Sequence, residues 1–211
     1  MGKITAICKR KGRQRQVNIF LDGKSTFSLE QETAFKERLC VGQELSAHQI
    51  QALASSDYYC RCLNAAVHYL SYRPRSESEI KDRLRQRGFN RDSIELVMVK
   101  LKEQRLVDDL AFAQFWKDNR ESFSPRSQRL TQLELKQKGV AEDIIGQITK
   151  TIDDDKNAYQ TASAKTRNIH LTNYHSFRRQ LGEYLNRRGF SYSVINHTLD
   201  RIWQENYSGS R

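Results

Sequence analysis

The chain has 211 residues, 37% hydrophobic and 29% charged, a hydrophilic but foldable composition rather than a disordered one. With only 2 prolines and 10 glycines it cannot be a β-sandwich of many tight turns, so helices should dominate. Its 36 Lys and Arg against 25 acids leave a formal charge of +11, which implies an anionic partner, nucleic acid first and a membrane surface second.

No stretch approaches the roughly 18 apolar residues of a membrane span. The opening Met1-Gly-Lys-Ile-Thr-Ala6 lacks the apolar core of a signal peptide, so a cytoplasmic location without membrane attachment is expected. Cys8, Cys40, Cys60 and Cys62 form no CxxC pair, and free thiols are expected.

Residues 1–56 read as a small β-containing head. Ile4-Thr-Ala-Ile7 and Val17-Asn-Ile-Phe-Leu21 are β-prone runs, and Asp22-Gly23 marks a hairpin turn before Phe27 and Leu29. Placing Val17, Ile19 and Leu21 on one face with Leu29, Phe27 and Ser25 requires a three-residue loop, Asp22 to Lys24. Residues 30–39 look helical with Gly42 as their stop, and Ser46-Ala-His-Gln49 is a capping box that opens another helix.

Beyond residue 56 the pattern is helical and repeats. Gly88, Gly139 and Gly189 stand 51 and 50 residues apart. Each has a leucine four before it (Leu84, Leu135, Leu185) and an isoleucine six after it (Ile94, Ile145, Ile195). This predicts three modules of three helices each, over 57–107, 108–153 and 154–211, with a glycine C′ turn between the second and third helix of each. In the first module a helix over about 57–72 precedes the capping box Ser76-Glu-Ser-Glu79, and Asn90 can cap the helix after Gly88. In the second, Ser124-Pro125 reads as N-cap and N1. The expected fold is mainly α: tandem three-helix repeats in an elongated curved molecule, with a β-hairpin head.

No catalytic constellation is legible. There is no HExxH, no phosphate-cradling glycine loop and no nucleophile elbow, so no enzyme, cofactor or metal is expected. Asp153-Asp154-Asp155 reads as an acidic helix start rather than a metal site. The aromatic residues, among them Phe112, Trp116, Phe177, Tyr184, Tyr192 and Trp203, fall mostly on helical stripes and read as core. The cations are more informative. The first module holds 11 Lys and Arg against 7 acids, the second 7 against 8, and the third 9 against 5. Arg73, Arg75, Lys81, Arg83, Arg85 and Arg87 surround the middle helix of the first module. Arg126 and Arg129 belong to that of the second, and Arg178, Arg179, Arg187 and Arg188 to that of the third. Lys9, Arg10, Lys11, Arg13 and Arg15 make a basic loop in the head. Several cations acting together suit phosphate binding.

The runs Tyr69-Leu-Ser-Tyr-Arg-Pro-Arg-Ser-Glu-Ser-Glu-Ile80, Leu84-Arg-Gln-Arg-Gly-Phe89 and Leu106-Val-Asp-Asp-Leu-Ala-Phe-Ala113 resemble the RecX family, regulators of the bacterial recombinase RecA. Lys136-Gln-Lys-Gly-Val140 is similar to the family's second repeat, while the third repeat matches only in its hydrophobic skeleton. The resemblance implies tandem three-helix repeats without catalysis. It implies binding in the groove of the RecA filament, with contacts to single-stranded DNA within it or to duplex DNA. Lowered ATP hydrolysis, strand exchange and repressor self-cleavage would follow, linking the chain to DNA repair, recombination and the SOS response. A free-standing DNA-binding regulator built from basic three-helix units is the competing reading.

Overall fold

The computed structural model describes residues 1–9, 16–167 and 173–207. Arg10, Lys11, Arg13, Arg15 and His170 lie outside them. The chain divides into two compact bodies: Met1–Arg73 with Ile80–Leu106, and Pro74–Glu79 with the residues from Val107 onward.

The first body opens with β1 (Gly2–Lys9), β2 (Gln16–Leu21) and β3 (Lys24–Glu30), then a short α1 (Gln31–Lys36) and β4 (Glu44–Leu45). They form an antiparallel sheet in the order β3-β2-β1-β4. Strand alternation puts Val17, Ile19 and Leu21 on one face, where they pack with Ile4, Leu29, Ala34, Leu45 and Leu53. The hairpin differs from expectation. Its turn has two residues, Asp22 and Gly23 at φ +49° and +79°, and Leu21 pairs with Lys24. Val17 still faces Leu29 and Ile19 faces Phe27, because a bulge between Ile19 and Phe20 absorbs the extra residue. Positive φ at both turn positions matches the strand twist, which is why Asp-Gly overrides a three-residue loop. Gly42 is not the stop of α1 either. Arg38 takes the left-handed position, and Gly42 donates its N–H to the Ile4 carbonyl at 2.8 Å in the turn before β4.

The capping box at Ser46 and Gln49 forms, but the helix it opens, α2 (Ala47–Leu70), runs for 24 residues. Residue 56 therefore lies inside it, and the head passes into the first three-helix module along one uninterrupted helix. The module continues with α3 (Glu77–Gln86) and α4 (Arg91–Glu103), whose Ile80, Leu84, Ile94, Val97, Met98 and Leu101 are buried. Asn90 caps α4 by accepting from the Ser93 N–H.

The second body carries α5 (Asp109–Phe123), α6 (Gln128–Gln137) and α7 (Glu142–Thr149), then α8 (Asp154–Thr166), α9 (Tyr174–Asn186) and α10 (Tyr192–Tyr207). One core gathers Phe112, Ala113, Leu135, Val140, Ile145 and Ile148; another gathers Phe177, Leu181, Leu185, Phe190, Leu199 and Ile202 with residues of α8. Ser127, not Ser124, caps α6, accepting from the Leu130 N–H, while Ser124 ends α5. The chain from Ser124 to Arg126 is thus a connector, because the buried Ser127 is the first side chain placed to satisfy an orphan N–H of α6.

The glycine turns are alike in all three modules. Gly88, Gly139 and Gly189 have φ of +86°, +73° and +84°. The N–H of the following Phe89, Val140 or Phe190 reaches back to the carbonyl of Leu84, Leu135 or Leu185. That six-to-one bond and the left-handed glycine are a Schellman ending, the physical meaning of the repeated Leu-x-x-x-Gly spacing.

Candidate nucleic-acid interface

The fold sorts the expected cations into those that hold the protein together and those left open. In the first module Lys81 reaches across to Glu95 at 2.8 Å. Arg85 pairs with Asp82 at 2.7 Å, and the Arg87 guanidinium lies over the Tyr69 ring, 5.1 Å from its centroid. Arg73 and Arg75 are half-buried and engaged within the protein. Arg83 is exposed, and its side chain has no partner among the described residues.

The second module pairs most of its cations internally. Glu134, whose side chain is only 11% exposed, accepts from Arg126, from Arg120 Nε at 2.8 Å and from Trp116 Nε1 at 2.8 Å. Lys138 pairs with Glu79 at 3.0 Å and lies 4.1 Å from the centre of the Trp116 ring. Lys136 pairs with Glu142 at the surface. Arg129 is exposed and lines a cleft with Lys136 and Glu142. The module's 8 acids against 7 cations are thus largely engaged with close partners within the protein.

In the third module the four arginines separate into two kinds. Arg178 donates to Asn196 Oδ1 at 2.6 Å and to the Tyr174 hydroxyl at 2.9 Å. The Tyr174 and Tyr192 hydroxyls beside it hold its guanidinium charged even more firmly than usual. Arg188 donates to Ser124 Oγ at 2.9 Å, the Pro125 carbonyl at 3.2 Å and the Tyr184 hydroxyl at 2.9 Å, and lies over the Tyr184 ring. Both are positioning residues. Arg179 and Arg187 are exposed, and neither side chain has a partner among the described residues.

Of the cations singled out around the middle helices, Arg83, Arg129, Arg179 and Arg187 are open, a smaller set than the sequence pattern suggests. Two features escape sequence patterns altogether. Glu134 is a hub that no spacing rule marks. Tyr192, expected in the core, is 75% exposed. The four cysteines are unpaired, and burial pushes the Cys62 thiol up to about 11. Among the described residues no group of three or more His, Cys, Asp or Glu side chains could hold a metal ion. Nor is any helix among them long and apolar enough to cross a membrane.

Comparison with known proteins agrees with this architecture. Residues 2–46 match the family described as the regulatory protein RecX N-terminal domain, and residues 62–101 match RecX, first three-helix domain. The chain is 30% identical to regulatory protein RecX of Bacillus pumilus, over 99% of this chain and 79% of that protein. It is 28% identical to that of Clostridium botulinum (strain Alaska E43), over 94% and 95%. Against that of Listeria monocytogenes (strain HCC23) it is 30% identical over 72% of this chain, and the match spans 57% of the relative's length. A crystal structure of regulatory protein RecX superposes with a TM-score of 0.66 at 28% identity, covering 95% of this chain and all of that one.

Proposed function

Because the chain belongs to the RecX family of regulatory proteins, we propose that it binds the RecA–DNA filament in its groove and lowers RecA's ATP hydrolysis, strand exchange and co-protease activity. The observation that carries this reading is the placement of open charge. Arg83 in the first module and Arg179 and Arg187 in the third are exposed and without partners among the described residues, while the cations of the module between them are largely paired. Open cations in the first and third modules, with mostly paired ones in the module between them in sequence, suit a partner that offers phosphate and protein surface by turns. A chain lying along a filament touches neighbouring protomers, and one that binds a single filament state better than another inhibits by shifting that equilibrium. No nucleotide or metal bound to this chain is required.

The test is RecA assembled on single-stranded DNA with ATP hydrolysis as readout. The expected outcome is inhibition at or below equimolar ratios, relieved when Arg179 and Arg187 are reversed to glutamate. Unaltered RecA activity with tight, sequence-selective binding to naked duplex would replace this reading with that of a free-standing DNA-binding regulator.

A further inference from the structure

One cleft recurs between the last two helices of successive modules. Counted from Gly139, Gln132, Leu133, Lys136, Glu142, Ile145 and Gly146 line it at −7, −6, −3, +3, +6 and +7. Counted from Gly189, the lining residues Gly182, Glu183, Asn186, Tyr192, Ile195 and Asn196 stand at the same offsets. What crosses the cleft differs. In the first module Lys81 and Glu95, at −7 and +7, are paired at 2.8 Å. In the second Lys136 and Glu142, at −3 and +3, are paired at 2.5 Å. In the third those positions hold Gly182 opposite Asn196 and Asn186 opposite Tyr192, so no ion pair joins them; Arg178, at −11, crosses instead, donating to Asn196 Oδ1 at 2.6 Å and standing 3.6 Å from Asp200 Oδ1.

Two details of this third cleft lack a packing reason. Glycine in a helix interior is destabilising relative to alanine. Yet a Cβ at Gly182 would meet only Leu199 Cδ1 at 3.7 Å and Ile195 Cγ2 at 3.9 Å, ordinary contacts. Its effect is to leave the floor open above Ile195 and Leu199. Tyr192, meanwhile, turns a 75% exposed ring to solvent, with Asn196 and Arg178 as the neighbours of its hydroxyl. The ring surface is left uncovered. The cleft is an open one of about 290 Å³, just under the usual range for small-molecule sites. Arg179 and Arg187, exposed and without partners among the described residues, stand at −10 and −2 of the same module. Its one lining carboxylate, Glu183, is an acceptor suited to a base-edge N–H such as thymine N3–H.

We infer that the α9–α10 cleft seats one unstacked nucleobase of single-stranded nucleic acid, with Tyr192 as the stacking face, the Asn186 amide at the base edge, and Arg179 and Arg187 on the flanking phosphates. The inference rests on the proposed contact with DNA and gives it a place in the protein. An open aromatic face beside unpaired cations is what sequence-tolerant single-strand binding uses. A duplex, whose bases are stacked, would not enter.

The experiment uses the full chain, an oligo-dT strand, and an abasic strand of equal length. Tyr192→Ala should weaken oligo-dT binding roughly ten-fold, the scale of a single base stacked on an aromatic ring, and leave the abasic strand unchanged. Tyr192→Phe, which keeps the ring, should stay within about two-fold. A strand carrying 5-iododeoxyuridine should photo-crosslink to Tyr192. If Tyr192→Ala leaves oligo-dT binding intact, while reversal of Arg179 and Arg187 weakens both strands alike, the base seat is overturned and the basic surface stands. If the wild-type chain binds neither strand, the base seat and the DNA contact fall together.

Discussion

Asp154 accepts a hydrogen bond from the backbone N–H of Gln128 at 2.7 Å, tying the start of α8 to the first residue of α6. Asp109 on α5 does the same for the N–H of Glu77 at 2.8 Å, and Asp57 on α2 for that of Glu30 at 2.6 Å. Each acid lies on the first helix of a module, and each donor opens an earlier helix, α6, α3 or α1. A helix start leaves orphan N–H groups and a positive field, and a carboxylate from the next module satisfies both. In the first module the served helix is α1, so the head is attached by the same device as the repeats.

Removing these carboxylates should therefore cost stability in more than one place. Asp109→Ala and Asp154→Ala are each expected to lower unfolding free energy by about 1 kcal/mol, the value of a helix cap, with Asp154→Asn milder because its amide oxygen still accepts. Burial raises the Asp154 carboxyl above its ordinary value, ahead of the opposing Gln128 bond. With the folded value above the unfolded one, the folded state binds the proton more tightly, and stability falls as pH rises between the two. Asp154→Asn removes that slope. Its stability relative to wild type should rise with pH across the acid range; a constant difference would contradict the assignment.

The glycine turns should rank rather than behave alike. All three lie at positive φ, so valine at any of them should destabilise its module. Surroundings add a second cost at two of them. A Cβ at Gly139 would sit 2.4 Å from Ser78 Cβ, and one at Gly189 would sit 2.6 Å from Ser127 Oγ and 2.8 Å from Leu130 Cβ; at Gly88 nothing lies within 4 Å. Alanine at Gly88 should cost about 1 kcal/mol and alanine at either other site clearly more. Equal melting temperatures for the three variants would refute the difference.

Glu134 should behave as a structural hub. Glu134→Ala strands Arg120, Arg126 and the Trp116 indole together, and about 2 kcal/mol of destabilisation is expected. The Trp116 fluorescence should change with it. A variant as stable as wild type, with unchanged emission, would show that these bonds contribute little.

Arg187 and Arg188 are neighbours in sequence with separate duties. Arg188→Glu removes bonds to Ser124, Pro125 and Tyr184 and should lower the melting temperature. Arg187→Glu should leave it unchanged and weaken association with the DNA-bearing filament. For single-stranded DNA, the salt dependence should flatten by roughly 0.7 in log–log slope for each phosphate that the variant no longer neutralises. If both reversals lower the melting temperature equally, Arg187 is not an open cation.

Local features of this protein were decided by the sequence alone. Repeated glycines at 51 and 50 residues marked the Schellman turns, because only glycine takes positive φ at little cost. Ser46, Ser76 and Asn90 marked helix starts because their side chains satisfy orphan N–H groups within one turn of chain. The family motif Asp108-Asp109 was readable as a motif but not as physics. Asp108 caps α5 locally, whereas Asp109 serves a residue 32 positions away. Wherever two arrangements satisfied the same local rule, only tertiary structure chose. Ser127 displaced Ser124 as the α6 cap, a bulge beside Phe20 rescued a two-residue turn, and α2 ran unbroken through residue 56. The functional surface belongs to this second class. Charge counts identify which modules are basic, but whether an arginine is open depends on partners remote in sequence. Arg188 finds Ser124 across 64 positions, while Arg187 beside it finds no one among the described residues, and no pattern within the chain's local spacing distinguishes them.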